Sequence, residues 1–294
     1  MARAGILGAP RILGNAHKKE ADGGWAIADT SRRLIANNNM TVSLDVVLVL
    51  IAAFGAGLID AMVGGGGLIQ VPALFGVYPG AAPPVLLGTS KFAGFFGTSS
   101  AVMRFAGKVA IPWRSLLPLG IAVLITGGLG ALAATRVPPE VFRPLVPVLL
   151  VAVLIYLLRR KELGGKHAPR DFGGRHHVLG TLLIAAIGFY DGFFGPGTGS
   201  FLMLVFVRIY GFDFLHAAAS ARVLNVATNG AALLYFGLNG YVMWQVGLGM
   251  AICNIAGAML GARLALRGGS VFVRKVFIVV VILMILRTAW VAVD

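Results

Sequence analysis

Cysteine is almost missing from this chain. The single residue, Cys253, excludes a disulfide framework and any cysteine-built metal cluster. Charge is scarce as well: only 12% of residues are charged, and acids are the rarer sign, with 11 Asp and Glu against 25 Lys and Arg. The sequence has no HExxH motif and no paired-histidine metal spacing. Gly64–Gly67 has no strand–helix context and is not a nucleotide loop, and His216 and Cys253 sit on separate segments without forming a recognisable catalytic pair. What the chain has in quantity is apolar surface: 58% of its 294 residues are hydrophobic and the mean hydropathy is +0.87. Long apolar runs such as 115–135 and 271–286 make it an all-α polytopic membrane protein. The net charge of +14 would suggest nucleic acid in a soluble chain, but it fits the Lys- and Arg-rich cytoplasmic loops of a membrane protein better.

Residues 1–40 are polar and glycine-rich and lack the apolar core of a signal peptide, so they read as a disordered extension, with Met40 a plausible native start. Apolar segments follow at about 44–63, 68–78, 86–106, 115–135 and 141–158, forming a first half over 41–158. A linker over 159–177 carries six basic and two acidic residues. The second half, 178–294, repeats the series at about 178–194, 199–210, 216–236, 242–266 and 271–291. An offset of 131 superposes Asp60 on Asp191, Gly64 on Gly195, Gly66 on Gly197, Phe105 on Phe236, Trp113 on Trp244 and Arg136 on Arg267. The organisation is therefore two homologous repeats of about five hydrophobic segments.

Each repeat holds a break, Asp60 to Gly67 in one and Asp191 to Ser200 in the other. Glycine-rich backbone at membrane depth is tolerated only where protein or a water-filled cavity satisfies its amides, and matching breaks in two halves point to a transporter's binding site. The second segment of each half is too short for a full span and is expected to pair with its predecessor as a broken, re-entrant hairpin. Loop charge sets orientation. The linker and the loop with Lys108 and Arg114 are positive, while the counterpart loop 238–243 has no charge; the loop with Arg267, Arg274 and Lys275 outweighs the counterpart with Arg136, Arg143 and Glu140. Placing the richer member of each pair inside makes the halves inverted repeats with both termini outside. Parallel halves are the alternative.

Five side chains within apolar segments are costly enough to need a reason: Asp60, Asp191, Lys91, Arg222 and Arg263. Arg104 and Arg208 stand near segment ends, where they can snorkel. Lys91 and Arg222 match under the offset. Arg222, Asn225 and Asn229 share one helical face at i, i+3 and i+7, and Lys91, Gly94 and Thr98 form the equivalent face. With Thr89, Ser90 and Ser220 beside them, two cations make a cradle for a small oxyanion. Gly64, Gly66, Gly195, Gly197 and Thr198 would add backbone N–H groups and positive helix ends. The alternative is that the two cations lie near the membrane surface or pair structurally with the aspartates. Asp60 and Asp191, the only acids in the interior of apolar segments, read either as proton carriers or as caps on the helix after the break. Gly127-Gly128-x-Gly130-Ala131 and Gly257-x-x-x-Gly261 read as helix-packing motifs, and Trp113 and Trp244 as interface-belt residues.

The two breaks, Gly64-Gly-Gly-Gly-Leu-Ile-Gln-Val-Pro72 and Asp191-Gly-Phe-Phe-Gly-Pro-Gly-Thr-Gly-Ser200, with Gly88-Thr-Ser-Lys91 after the first, resemble the TauE/SafE family of sulfite exporters over 41–291. The stretch from Gly188 to Ser200 resembles the YfcA-type branch in particular. The resemblance implies a multi-pass carrier in a bacterial inner (plasma) membrane for sulfite, organosulfonates or related small anions, driven by the proton gradient. Expected partners are a small anion, protons and lipid, with no nucleic acid, no cofactor and no metal; a homodimer is an open assembly. An intramembrane enzyme would need a nucleophile–base or metal constellation, which the sequence does not display. A structural subunit would not explain duplicated charged breaks.

Overall fold

The computed structural model describes residues 44–142 and 174–291, and among these all regular structure is helical. The extension 1–40, most of the segment 141–158 and all but the end of the linker 159–177 lie outside the described residues. Eight helices are given: α1 Leu44–Val63, α2 Gly67–Val77, α3 Pro83–Ala106, α4 Trp113–Arg136, α5 Gly174–Phe193, α6 Thr198–Arg208, α7 Phe214–Leu238 and α8 Trp244–Val291. A short helical stretch also begins at Pro139. Helix α5 starts inside the stretch read as linker, and α8 takes in the last two expected segments with a non-helical kink at Gly269.

Local chemistry explains the boundaries. Pro83 and Pro84 open α3, where a missing N–H costs nothing. Asp213 caps α7 by accepting from the His216 main-chain N–H at 2.8 Å. Three described helical stretches are long and apolar enough to cross a membrane: α1, α4 and Trp244–Val273 of α8. Their outer faces carry exposed Ile51, Leu117, Ile121, Leu248 and Ile252, a surface suited to lipid. Helices α3 and α7 are long enough but less apolar; their polar residues Thr98, Ser100, Asn225, Thr228 and Asn229 are buried. Arg263 instead lies exposed on α8, Arg104 and Arg208 stand in the last turns of α3 and α6, and Trp113 and Trp244 are half-exposed first residues of α4 and α8.

Small residues bring the helices into close contact. Gly257 and Gly261 of α8 lie against the main chain at Phe54 and Leu58 of α1, so these two helices run parallel. Gly188 and Gly192 of α5 lie against Val123 and Gly127 of α4, again in parallel. A side chain at Gly192, Gly257 or Gly261 would drive into a neighbouring backbone, and one at Gly188 into Thr126 and Val123, the close approach that small-xxx-small motifs permit. At the centre, α3 and α7 cross in opposite directions: Gly88 lies against Phe236, and Gly94 against Asn229. Helix α2 folds back along α1, with Gly66 against Ala56 and Asp60, and with Leu74 in one buried cluster with Val49 and Ala53.

Candidate functional site

The breaks between α1 and α2 and between α5 and α6 meet tip to tip. The end of α1 leaves main-chain carbonyls without helical partners, and the start of α6 supplies donors. Ser200 Oγ donates to the Val63 carbonyl at 2.7 Å, and the Ser200 N–H donates to the Gly64 carbonyl at 3.2 Å. Gly64 has a φ of +83°, and a Cβ there would collide with the Gly199 and Ser200 backbone, so only glycine fits the contact.

Beside the tips lies a cavity of about 50 Å³, room for a few waters or one small ion. Lys91 on α3 reaches it and donates from Nζ to Asp191 Oδ1 at 2.7 Å; the two side chains are 7% and 2% exposed. Thr228 of α7 donates to the other Asp191 oxygen. Gly195 packs against this ion pair, where an added Cβ would lie 2.8 Å from Lys91 Nζ and 3.1 Å from Asp191 Oδ1. Asp60 lines the opposite side. Its Oδ2 accepts from Thr98 at 3.2 Å, and its Oδ1 accepts a long 3.4 Å bond from the Gly66 N–H. Asn229 Nδ2 donates to Asn225 Oδ1 at 3.2 Å, and both amides line the cavity. The site is thus a buried ion pair flanked by hydroxyls and amides inside an apolar bundle.

The family model of the sulfite exporter TauE/SafE matches residues 49–288. The chain belongs to that family. A probable membrane transporter protein, ORF9, from Sinorhizobium sp is 37% identical over 239 residues, 81% of this chain and 90% of the relative. A probable membrane transporter protein of Haemophilus influenzae is 35% identical over 246 residues, 83% of this chain and 95% of the relative. The probable membrane transporter protein YfcA of Escherichia coli K12 is 36% identical over 236 residues, 79% of this chain and 85% of the relative. No solved structure gives a significant match. The likeness to the YfcA-type branch read from the Gly188–Ser200 motif is thus borne out.

In this TauE/SafE protein the expected site residues separate into two groups. Lys91, Ser90, Thr98, Asn225, Asn229, Gly64, Gly66, Gly195, Asp60 and Asp191 all line the cavity. Arg222 does not line it. Its guanidinium is fully buried and donates to the Asp60 main-chain carbonyl and, at 3.3 Å, to the Ala218 carbonyl. Arg222 thus reaches the main chain near the end of α1 while Lys91 reaches the cavity, so the two matched cations make different contacts. Arg222 Nε and Ser220 Oγ are buried with no partner among the described residues. Thr89 ties α3 to the start of α8, donating to the Val85 carbonyl at 2.7 Å and accepting from the Met243 N–H at 3.0 Å. Thr198 donates to the Gly195 carbonyl at 2.7 Å, and Gly197, with a φ of +83°, shapes the turn into α6. Asp191 accepts side-chain donors instead of acting as a helix cap; Asp60 accepts from the Thr98 hydroxyl and reaches the turn before α2 only through the long bond from the Gly66 N–H.

Two polar cavity residues escaped the sequence. Asn254 Nδ2 donates at 3.0 Å to both the Ala53 carbonyl and Gln70 Oε1, and Gln70 Nε2 donates to the Ser90 carbonyl at 3.1 Å. This chain links α1, α2, α3 and α8 along one wall. The available signal was a neutral amide inside an apolar run. A search for charge passes over it, and the 131 offset pairs Gln70 and Asn254 with the apolar Phe201 and Val123.

Proposed function

We propose that this protein is a secondary carrier that moves a small oxyanion, sulfite or an organosulfonate, across the inner membrane by alternating access, coupled to protons. The observation that carries this reading is the cavity at the meeting of the two breaks, where the ammonium of Lys91 lies among the amides of Asn225 and Asn229 and the hydroxyls of Ser90 and Thr98. In an apolar bundle, ionisable groups of this kind belong to a substrate or ion path. The matched family is one of sulfite exporters, which supports the substrate class.

Inverted repetition is supported by helix direction. Helices α3 and α7 occupy equivalent positions under the offset yet run antiparallel, whereas repeats related by an axis along the membrane normal would run the same way. The parallel pairs α1 with α8 and α5 with α4 also exchange under the offset. Two oppositely oriented hairpins touching through Gly64 and Gly199 can then part on one side while closing on the other. Asp60 and Asp191, both on the cavity wall, are the proton-carrying candidates.

The test has two stages. Purified protein is screened by thermal shift against sulfite, thiosulfate, taurine, sulfoacetate and simple carboxylates, since a ligand at a hundred times its Kd stabilises the native state by about 2.7 kcal/mol. Any anion that stabilises the protein is then followed into proteoliposomes under an imposed pH gradient. Stabilisation by one of these anions together with gradient-driven uptake is the expected result. Absence of both across the panel would overturn the reading.

A further inference from the structure

The cavity already contains an anion on its cation, and that anion belongs to the protein. Asp191 Oδ1 sits 2.7 Å from Lys91 Nζ, in the position an entering oxyanion would take. Among the described residues, the charged side chains on the cavity wall are Lys91 from α3, Asp60 from α1 and Asp191 from α5. Helices α2 and α8 bring only the amides of Gln70 and Asn254, and α7 brings Asn225 and Asn229. Arg222 of α7 stands behind the wall, bonded to the Asp60 carbonyl. Tyr190, next to Asp191, has its hydroxyl engaged at 2.7 Å with the Pro196 carbonyl. Helices α4 and α6 add no titratable side chain to the wall.

The wall itself carries one cation and two carboxylates, and the buried Arg222 behind it brings the formal charge of the empty site to zero. An anion arriving at this state would meet a neutralised ammonium and a second negative group, Asp60, in a space too small to keep all three solvated. A proton delivered to Asp191 changes each of these conditions. The carboxyl group releases Lys91, its competing charge disappears, and a singly charged anion restores the balance when it binds, while a dianion leaves one negative charge in excess instead of two. Thr228 keeps a bond to Asp191 through the exchange, because a hydroxyl can either donate to or accept from a carboxyl oxygen.

We propose that the proton and the anion bind this cavity together: protonation of Asp191 opens its pair with Lys91, and the anion takes the carboxylate's place on Lys91 Nζ. The proton comes from solution and stays on the Asp191 carboxyl while the anion is bound. Proton and anion then travel in the same direction, which makes the carrier a cotransporter and not an exchanger of one for the other. This deepens the carrier reading above and rests on it.

The experiment uses the purified full chain in detergent and thiosulfate as the probe, because thiosulfate stays fully ionised from about pH 6 to about pH 8 and any titration then belongs to the protein. Sulfite, corrected for its own titration against a protein-free blank, is a second probe. In weakly buffered solution with an indicator dye, binding should take up about one proton per bound anion, and affinity should fall about tenfold per pH unit wherever the pair stays ionised in the empty protein. Asp191→Asn should lose that uptake and bind the anion more tightly at the alkaline end, with little dependence on pH. If this variant does not fold, proton uptake by the unaltered protein decides alone. Binding without proton uptake and with flat affinity would overturn the inference and leave the carrier reading intact. Unchanged uptake in a folded Asp191→Asn variant would also overturn it, since the proton would then sit elsewhere. No binding of either probe to either protein would overturn the carrier reading itself.

Discussion

Lys91 and Arg222 occupy equivalent sequence positions but should respond to the same substitution in different ways. Lys91 reaches the cavity, while Arg222 is buried behind it on main-chain carbonyls. At an effective dielectric of about 20, unit charges roughly 4 Å apart interact by about 4 kcal/mol, which sets the scale of what a cavity cation can offer an anion. After desolvation, the net value of a charge-assisted contact is about 1.5–3 kcal/mol, roughly a 10- to 150-fold change in affinity. Lys91→Gln should therefore weaken sulfite or thiosulfate binding by that factor. Arg222→Gln leaves the cavity lining unchanged but removes the buried charge opposite Asp60. Leaving the Asp60 and Ala218 carbonyls buried without their charged donor costs about 1–3 kcal/mol, and the loss should fall on stability. Arg208→Gln, at an exposed helix end, is the control and should change neither property. Affinity is measured by titration at fixed ionic strength, and stability by thermal unfolding in the same detergent. Equal losses of affinity in Lys91→Gln and Arg222→Gln, with both proteins folded, would refute this assignment and place the guanidinium at the anion.

Gly64→Ala should destabilise the tip contact by about 2–5 kcal/mol, combining roughly 1–2 kcal/mol for a left-handed φ with about 1–3 kcal/mol for overpacking against Gly199. Gly128→Ala, where a Cβ meets open space within α4, should instead stabilise by about 0.5–1 kcal/mol; thermal unfolding of both variants checks the pair. Asn254→Ala strips the donors from Gln70 Oε1 and the Ala53 carbonyl and should cost about 1–3 kcal/mol; Asn254→Gln should not rescue it, because the amide is held against Gly97 with no space for another methylene. Reporter fusions after Gly165 should read cytoplasmic, and fusions after Asn239 and Asp294 periplasmic. A cytoplasmic reading at Asp294 together with a cytoplasmic Gly165 would rule out inverted halves.

Much of the site was readable from the chain because membrane chemistry makes its exceptions visible. A carboxylate or an ammonium in an apolar run stands out on cost alone, which located Asp60, Asp191 and Lys91 on the cavity wall. Helical periodicity placed Asn225 and Asn229 on the face that reaches the same space. Neutral amides cost less to bury and carry no such signal, so Gln70 and Asn254 emerged only when four helices converged. The same limit applies to Arg222. Spacing shows that its Cα shares a face with Asn225, but the direction of a long, flexible side chain depends on which acceptor lies within reach.

Composition and periodicity by themselves determined the helical, membrane-embedded class, because continuous apolar runs of this length, without the alternation of barrel strands, satisfy their backbone in lipid as helices. They also determined where the helices break, since glycine and proline act locally. Only the tertiary structure decided that the breaks meet at Gly64 and Gly199, that Lys91 holds Asp191 from the other half of the chain, and that Arg222 turns away to the Asp60 carbonyl. Those contacts join residues far apart in sequence, and they depend on helix crossing directions that the pattern of any single helix does not encode.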